Sequence, residues 1–368
     1  MPRGTQTHGD VLVNQLADGT DLSEVWDEIT DALGVYNVHR SAIANLLSYR
    51  TINAADAVAQ NVQGELFEEA TEFGAPRGIG DPSYLKLGYS FKDHDLALRM
   101  TWRYLRDATR EQVDNRITRA LEADNRNVTG SILERLFSNI VRTNEFGHSV
   151  YGLYNGDMKP PDHMGRSFAA NHTHYLTTQS ATLDSADVEL GIRHIAEHGY
   201  GSTQAARFLL LANPNDVEMS GITSWRSGVE YAAGKLPKFD FIPSSNAPAR
   251  ITNERVEGAV PPADYNGLDV TGSYGRALLI ESYFIPQGWA AIVASTGVGS
   301  ESNVVGFREH TNPAYRGLRI IPGVGPYPLQ ESFLARSFGT GVRHRGAAVA
   351  LQITENASYT PPVIVAHR

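Results

Sequence analysis

The sequence predicts an α+β protein, and three observations support this fold class. One helical stripe extends over residues 107–142. Apolar runs bounded by turn residues, at 208–214 and 289–295, are typical of buried strands. Helical and strand patterns follow one another in a mixed order rather than in regular alternation. That order favours α+β over a doubly wound parallel sheet.

The first helices are predicted near the N-terminus. Asp21 is expected to cap a helix that Gly34 ends, because apolar residues follow at steps of three and four: Leu22, Val25, Trp26, Ile29 and Leu33. A second helical patch contains Ile43, Leu46 and Leu47. The sequence leaves two interpretations open, an arm that lies on another part of an assembly and two helices packed on their own domain.

A long β-hairpin is predicted next, over residues 65–106. Every second residue from 85 to 91 is apolar and its neighbours are mostly polar, which is typical of a strand with one apolar face. The apolar residues are Leu85, Leu87, Tyr89 and Phe91. Residues 74–82 are rich in glycine and proline and are predicted to form the tip. Because two strands alone are marginally stable in water, we expect a neighbour to cover this hairpin.

The strongest helical segment follows. Its apolar residues share one face at 100° per residue: Val113, Ile117, Leu121 and Val128. The stripe continues across Gly130, which predicts one bent helix of about 50 Å, with two helices meeting near Gly130 as the alternative. Further elements are predicted in order: two short strands, a turn at 159–162, a helix at 185–198, strands at 208–214, 277–285 and 289–295, and a terminal strand at 343–354 that follows a glycine-containing turn.

Composition excludes several classes of protein. The chain has 368 residues, of which 41% are apolar and 20% charged, as in folded globular proteins. It has no cysteine, which excludes disulfides and thiolate catalysis. The net charge of −9 argues against binding of nucleic acid through a basic surface. No apolar run reaches the roughly 20 residues of a membrane helix, and no signal peptide is recognised, so synthesis in the cytoplasm is expected.

One motif suggests an enzyme. Residues 194–198 read His-Ile-Ala-Glu-His, the inverted zinc-protease signature, in which His194 and His198 would hold a metal and Glu197 would act as general base. His172 and His174 are also near in sequence. The alternative is a helix that ends in two polar histidines. At this end of a helix, the helix dipole stabilises a cationic imidazole. Because the motif occupies the last turn of its helix, we favour this alternative and predict no catalytic, cofactor-binding or metal-binding residues.

Five segments carry a resemblance to a known family: 67–74, 84–91, 96–108, 306–317 and 338–354. They resemble the major capsid proteins of tailed double-stranded DNA phages, which have the Hong Kong 97-type shell fold. The resemblance implies an N-terminal arm (1–60), an extended loop (61–106), a peripheral domain with a long spine helix (107–204 and 331–368) and an axial domain (205–330).

The resemblance also implies a function. Copies of the chain would assemble through hexamers and pentamers into an icosahedral shell around the phage genome, without catalysis and without a cofactor. The implied partners are other copies of the chain and packaged double-stranded DNA bound without sequence specificity. Portal, scaffold and decoration proteins are further candidate partners, and no membrane is expected. The implied location is the virion capsid, after assembly in the cytoplasm of the host bacterium.

The resemblance points to candidate inter-subunit contacts: Trp26, Phe67, Glu69, Phe73, Lys86, Tyr89, Arg308, Arg316, Arg343 and Arg345. Arg343 and Arg345 are expected to open the terminal strand on one face and to contact a neighbour or DNA phosphates. The alternative is an exposed pair within the fold that is paired with Asp or Glu. Some family members also form an isopeptide bond between a loop lysine and a distant asparagine, for which Lys86 or Lys92 and Asn356, beside Glu355, are the candidates here.

Two other functions remain open at this level. Encapsulin nanocompartments share the fold and enclose protein cargo instead of DNA, and the zinc hydrolase is the enzyme alternative. If the loop joins neighbouring subunits, deletion of residues 64–92 is expected to leave a folded subunit that forms capsomers poorly.

Overall fold

The fold was obtained as a computed structural model. It describes residues 15–38, 41–59, 83–203, 205–247, 260–322 and 329–366, together with the single positions 67, 69, 70, 72, 74, 78 and 258. Within these ranges, no helix is long and apolar enough to cross a membrane.

The helices of these ranges are α1 (Leu22–Val38), α2 (Ala42–Leu47), α3 (Trp102–Asp107), α4 (Arg110–Phe137), α5 (Ser185–Glu197) and α6 (Pro214–Ser220). Short 3-10 turns follow at Ile222–Ser224 and Pro313–Tyr315.

The strands of the N-terminal half are β1 (Ser48–Thr51), β2 (Ala55–Ala59), β3 (Tyr84–Gly88), β4 (Lys92–Thr101), β5 (Arg142–Thr143), β6 (Ser149–Val150) and β7 (Tyr175–Thr177). Those of the C-terminal half are β8 (Arg207–Ala212), β9 (Phe241–Pro243), β10 (Asp264–Tyr265), β11 (Leu268–Asp269), β12 (Gly272–Tyr274), β13 (Ala277–Glu281), β14 (Trp289–Ser295), β15 (Val305–Glu309), β16 (Arg319–Pro322), β17 (Leu329–Val342) and β18 (Ala348–Gln352).

A seven-stranded mixed sheet forms the centre of the molecule, in the order β7-β18-β14-β8-β13-β12-β9. Its central strands β18, β14, β8 and β13 are apolar except at their end residues, because helices cover both faces of the sheet. In β8, Leu209 and Leu211 belong to the core on the side of α2 and α4. Phe208 and Leu210 belong to the opposite core with Val188 of α5. The continuous apolar runs at 208–212 and 289–295 therefore predicted these strands correctly.

A second sheet is organised around the long strand β17. This strand pairs with β15 through residues 338–342 and with β4 through residues 329–338. The sequence prediction of a glycine-containing turn at this place is wrong, since Gly339 and Gly341 are paired strand residues. The backbone of residues 88–91 crosses so close to both that a Cβ atom would meet it. The glycines therefore allow close crossing rather than a turn.

Helix α4 is one continuous helix of 28 residues, about 42 Å long. This agrees with the first of the two sequence alternatives, although the helix ends at Phe137 rather than Arg142. Gly130 lies inside it, and a Cβ atom there would come within 2.9 Å of the Ala366 Cβ. A glycine at this position thus lets the C-terminal segment pack against the helix.

Helix α1 continues past Gly34, so the predicted end of this helix is wrong. Tertiary contacts extend it: the Tyr36 hydroxyl donates to Asp124 Oδ2 at 2.9 Å, and the Asn37 side chain donates to the Leu318 carbonyl at 2.9 Å. Val25, Ile29 and Leu33 are buried with Val113 of α4. Both N-terminal helices pack on their own chain, as in the second interpretation of this region.

Because Gly34 lies inside α1, exposed and with open space around its Cα atom, Gly34→Ala is expected to stabilise the protein. Alanine loses less backbone entropy than glycine on entering a helix. The expected gain is about 0.5–1 kcal/mol in the free energy of unfolding, measured by urea denaturation. An unchanged or lowered midpoint would contradict the helical placement of residue 34.

The predicted hairpin is present with different strands. Strand β3 pairs with β2, from Ala55↔Gly88 to Ala59↔Tyr84, and β4 pairs instead with β17. The strand that precedes the tip thus lies within the region predicted as the arm. The division into arm, loop, peripheral and axial domains remains a prediction, and the central sheet contains strands of both of the last two regions.

Candidate interaction surfaces and a histidine cluster

The segment between β2 and β3 carries the most exposed aromatic side chain of the described residues. Phe67 has a relative exposure of 108%, and Glu69 is also exposed. Tyr84, at the start of β3, is 62% exposed. Phe73, another candidate contact, lies outside the described residues, as does the side chain of Trp26 on α1. An aromatic ring that the described residues leave uncovered is a candidate anchor for a partner.

At the base of this hairpin, Lys86 is exposed but Tyr89 is fully buried, so Tyr89 does not offer a surface contact. The Tyr89 hydroxyl donates to Asp56 Oδ2 at 2.6 Å and accepts from the Tyr49 hydroxyl at 2.6 Å. Burial raises the pKa of the Tyr89 phenol far above its usual value. Tyr89 therefore fixes the hairpin to the core.

Arg308 on β15 holds two loops together. Its Nη1 lies 2.6 Å from Glu145 Oε1, and its guanidinium lies 4.9 Å from the centroid of the Phe91 ring. Arg316 closes the connection from β15 to β16 by donating to the carbonyls of His310 and Thr311, both at 2.8 Å. Arg308 is mostly buried and Arg316 half-buried, so only part of each side chain is available to a neighbour.

Arg343 and Arg345 lie in the turn between β17 and β18 and do not open a strand, which corrects the sequence prediction. The chain turns after β17, where Ala347 N donates a hydrogen bond to the His344 carbonyl at 3.0 Å. Arg345 is buried, with Nη2 at 2.6 Å from Asp157 Oδ2 and Nε donating to the Gly152 carbonyl at 3.0 Å. Only Arg343, half-exposed and 3.8 Å from Asp56, remains accessible.

Three histidines converge where the end of α5 meets the segment before β7. The Nε2 atom of His172 lies 3.1 Å from that of His174 and 3.0 Å from that of His198, and the His174–His198 distance is 3.0 Å. Among the described residues this is the set whose ligand atoms could share one metal ion.

The surroundings fix two of these rings. His174 is fully buried, and its Nδ1 lies 2.6 Å from the Ala348 carbonyl of β18. His198 stacks on Phe168, with ring centroids 4.1 Å apart. Gly346 lies against the His198 ring at its Cγ atom, because a Cβ atom at residue 346 would come within 2.8 Å of that atom.

All three imidazoles favour the neutral form. Burial, followed by the neighbouring histidines, lowers the pKa of His172 to about 4 and the pKa of His198 to about 3. Burial also lowers the pKa of His174 well below its usual value. Each ring therefore carries one proton on one nitrogen at neutral pH.

The zinc-protease set, which the motif suggested and which we did not favour, is not assembled among the described residues. His194 Nδ1 lies 3.1 Å from the Leu190 carbonyl, and the His194 side chain is not part of the converging set. Glu197 Oε1 pairs with Arg166 at 2.8 Å, so it is not placed as a general base. The converging set of His172, His174 and His198 was not predicted from the sequence. The one local signal was His172-Thr-His174, whose two-residue spacing repeats a direction in extended chain.

The chain is similar to several solved structures. A structure from Mycobacterium phage Patience is 37% identical, covers 97% of this chain and 96% of its own, and superposes with a TM-score of 0.73. Two others are distant, at TM-scores under 0.5. The capsid of the native GTA particle is 12% identical over 86% of this chain and 92% of its own, with a TM-score of 0.48. An encapsulin complex from Synechococcus elongatus is 14% identical over 86% and 89%, with a TM-score of 0.44.

No family model matches the sequence, and no curated protein matches it either.

Proposed function

Because the chain belongs to the phage major capsid proteins, we propose that its copies assemble through hexamers and pentamers into an icosahedral shell around a double-stranded DNA genome. The observation that carries this proposal is the similarity to the Mycobacterium phage Patience chain over nearly the full length of both chains. The role of the protein is structural, and its location is the virion capsid. Assembly in the cytoplasm of the host bacterium is part of the proposal.

The surface of the subunit supports repeated contacts with several neighbours. Large apolar side chains are exposed on separate parts of the chain: Phe67 (108%), Tyr283 (78%), Val363 (90%) and Val365 (69%). A closed shell requires each copy to present several different patches to its neighbours. The exposed apolar side chains are candidate members of such patches.

The finer division of a Hong Kong 97-type subunit also belongs to this proposal. Helix α4 would be the spine of the peripheral domain, and residues 205–330 would form the axial domain near the symmetry axes of capsomers. The segment between β2 and β3 would extend over a neighbouring subunit. Of the candidate contacts whose side chains the structure describes, Phe67, Glu69 and Lys86 are exposed and Arg343 is partly exposed, and these four are the contacts we retain.

Charge decides how the genome would be held. With a net charge of −9, the shell would not condense DNA by electrostatic attraction. DNA would instead be pumped in and retained by closure of the shell. Portal, scaffold and decoration proteins are proposed partners of this process.

Electron microscopy of the chain expressed alone and purified tests assembly directly. Uniform closed shells or capsomer rings are the expected result, with light scattering as the check on homogeneity. A monodisperse monomer under all conditions, including co-expression with a scaffold protein from the same phage, would contradict self-assembly.

A second experiment distinguishes a phage capsid from an encapsulin by identifying what is inside shells isolated from infected cells. Nuclease-protected genomic DNA is expected after the intact particles are treated with nuclease. Shells that instead retain a single folded enzyme as cargo would favour the encapsulin alternative.

A further inference from the structure

The histidine cluster cannot satisfy its own nitrogen atoms by hydrogen bonding. His174 Nδ1 faces the Ala348 carbonyl at 2.6 Å and must carry a proton to make that bond, which leaves His174 Nε2 as an acceptor. The Nε2 atoms of His172 and His198 both lie within 3.1 Å of it and 3.0 Å from each other.

Each distribution of protons leaves at least one close contact unfavourable. If both His172 and His198 carry a proton on Nε2, their two N–H groups face each other. If only one of them does, the other pair of Nε2 atoms brings two lone pairs together. If neither does, three lone pairs converge. A cation bound at the centre satisfies the last arrangement completely, because all three lone pairs then point at one positive charge.

We propose that His172, His174 and His198 bind a divalent first-row transition-metal ion, zinc first among them, through their Nε2 atoms. Neutral imidazole is the metal-binding form, and a set of nitrogen ligands selects zinc, copper, nickel or cobalt over magnesium or calcium. The hydrogen bond from His174 Nδ1 to a backbone carbonyl is the usual second contact of a metal-bound histidine.

The geometry agrees with such a site. Tetrahedral zinc with Zn–N bonds of about 2.05 Å sets its ligand nitrogens roughly 3.3 Å apart. The observed separations of 3.0–3.1 Å are close to this value, so shifts of a few tenths of an ångström would complete the coordination. Three ligands then occupy one face of the metal and leave the opposite side for a fourth.

Polar side chains lie beside one of the three ligands. A cavity of about 380 Å³ lies beside His172 and is lined by Arg166, Arg193 and Glu197 among others. Since Glu197 is paired with Arg166 at 2.8 Å, the structure assigns the metal a structural role rather than hydrolysis. The ion would tie the segment before β7 to the end of α5 and, through His174, to β18.

Metal binding to the untagged full-length protein tests the site. After removal of metal with EDTA and dialysis, addition of Zn²⁺ is expected to load about one ion per subunit and to raise the unfolding temperature. Co²⁺ in its place should give the intense visible absorption of a tetrahedral nitrogen site. Failure of the wild-type protein to bind either ion at micromolar concentrations would overturn the proposal, whatever the variants do.

Single substitutions locate the ion. His172→Ala is the main variant, because His172 is only half-buried and its loss should not unfold the chain. It is expected to weaken Zn²⁺ binding by at least about tenfold and to abolish the Co²⁺ absorption.

His194→Ala is the matched control, since His194 stacks beside His172 at 5.3 Å without joining the converging set. It should leave both signals unchanged. Loss of binding in His194→Ala with retention in His172→Ala would overturn the assignment in favour of the motif-based set.

Discussion

A variant in which Asn-Gly replaces residues 60–83 is expected to fold as the wild type does and to lose the ability to form closed shells. The last paired residues of the hairpin are Ala59 and Tyr84, which face each other across β2 and β3. Asn-Gly favours the tight turn that joins two antiparallel strands directly. The replacement therefore keeps both strands and removes the segment proposed to cover a neighbouring subunit.

The boundaries of this replacement depend on the structure. The wider deletion of residues 64–92 considered from the sequence would also remove Leu87 and Tyr89, which are 1% and 0% exposed. Tyr89 and its bonds to Tyr49 and Asp56 connect the hairpin to the core. We therefore expect the wider deletion to unfold the subunit, contrary to the prediction made from sequence, and its failure to assemble would say nothing about the loop.

Two measurements decide the outcome of the narrower replacement. Circular dichroism and the unfolding midpoint report whether the subunit is folded, and electron microscopy reports whether shells form. The matched control replaces residues 60–83 with a glycine-serine linker of the same length, which separates the effect of sequence from that of length. Wild-type shells from the Asn-Gly variant would refute the placement of the inter-subunit contact in this segment.

The elements that were predicted well from the sequence are those whose burial can be recognised from the apolar residues of the element itself. Strand β14 was predicted with its observed bounds because all its residues are apolar or small, as expected of a strand covered on both faces. Helix α4 was visible because its apolar stripe keeps one phase over 28 residues. In both, neighbouring residues alone carry the signal.

Strand β17 was missed because its signal depends on distant parts of the chain. Its glycines at 339 and 341 read as a turn in sequence, yet they are needed because residues 88–91 cross the strand there. Arg345 was read as an exposed charge, although Tyr151, Tyr154 and Asp157 surround it in the fold. Such contacts between distant parts of the chain cannot be predicted from a local sequence pattern.

The histidine cluster illustrates the same limit. Spacing along one helix suggested His194 and His198 as a metal-binding pair, because residues four apart share a helix face, and we favoured instead two polar histidines at the end of a helix. The structure selects His198 from that pair and joins it to His172 and His174, which lie more than twenty residues earlier. The choice depends on how the segment before β7 packs on the end of α5.

Gly339→Ala is expected to destabilise the subunit by about 3 kcal/mol or more, and we expect little folded protein at growth temperature. A Cβ atom on residue 339 would overlap the carbonyl oxygen of Ser90 and lie 2.8 Å from Phe91 N. Backbone cannot move aside as a flexible side chain can. The crossing segment is also held in place, because Ser90 N donates to the Thr340 carbonyl at 3.1 Å and Thr340 N donates to Ser90 Oγ at 3.0 Å.

Gly34→Ala is the matched control for this substitution, since it adds the same methyl group at a glycine with open space around it. Urea denaturation of both variants should give midpoints on opposite sides of the wild-type value. A Gly339→Ala subunit as stable as wild type would mean that residues 88–91 do not lie against β17. Tyr89 would then not be anchored in the core.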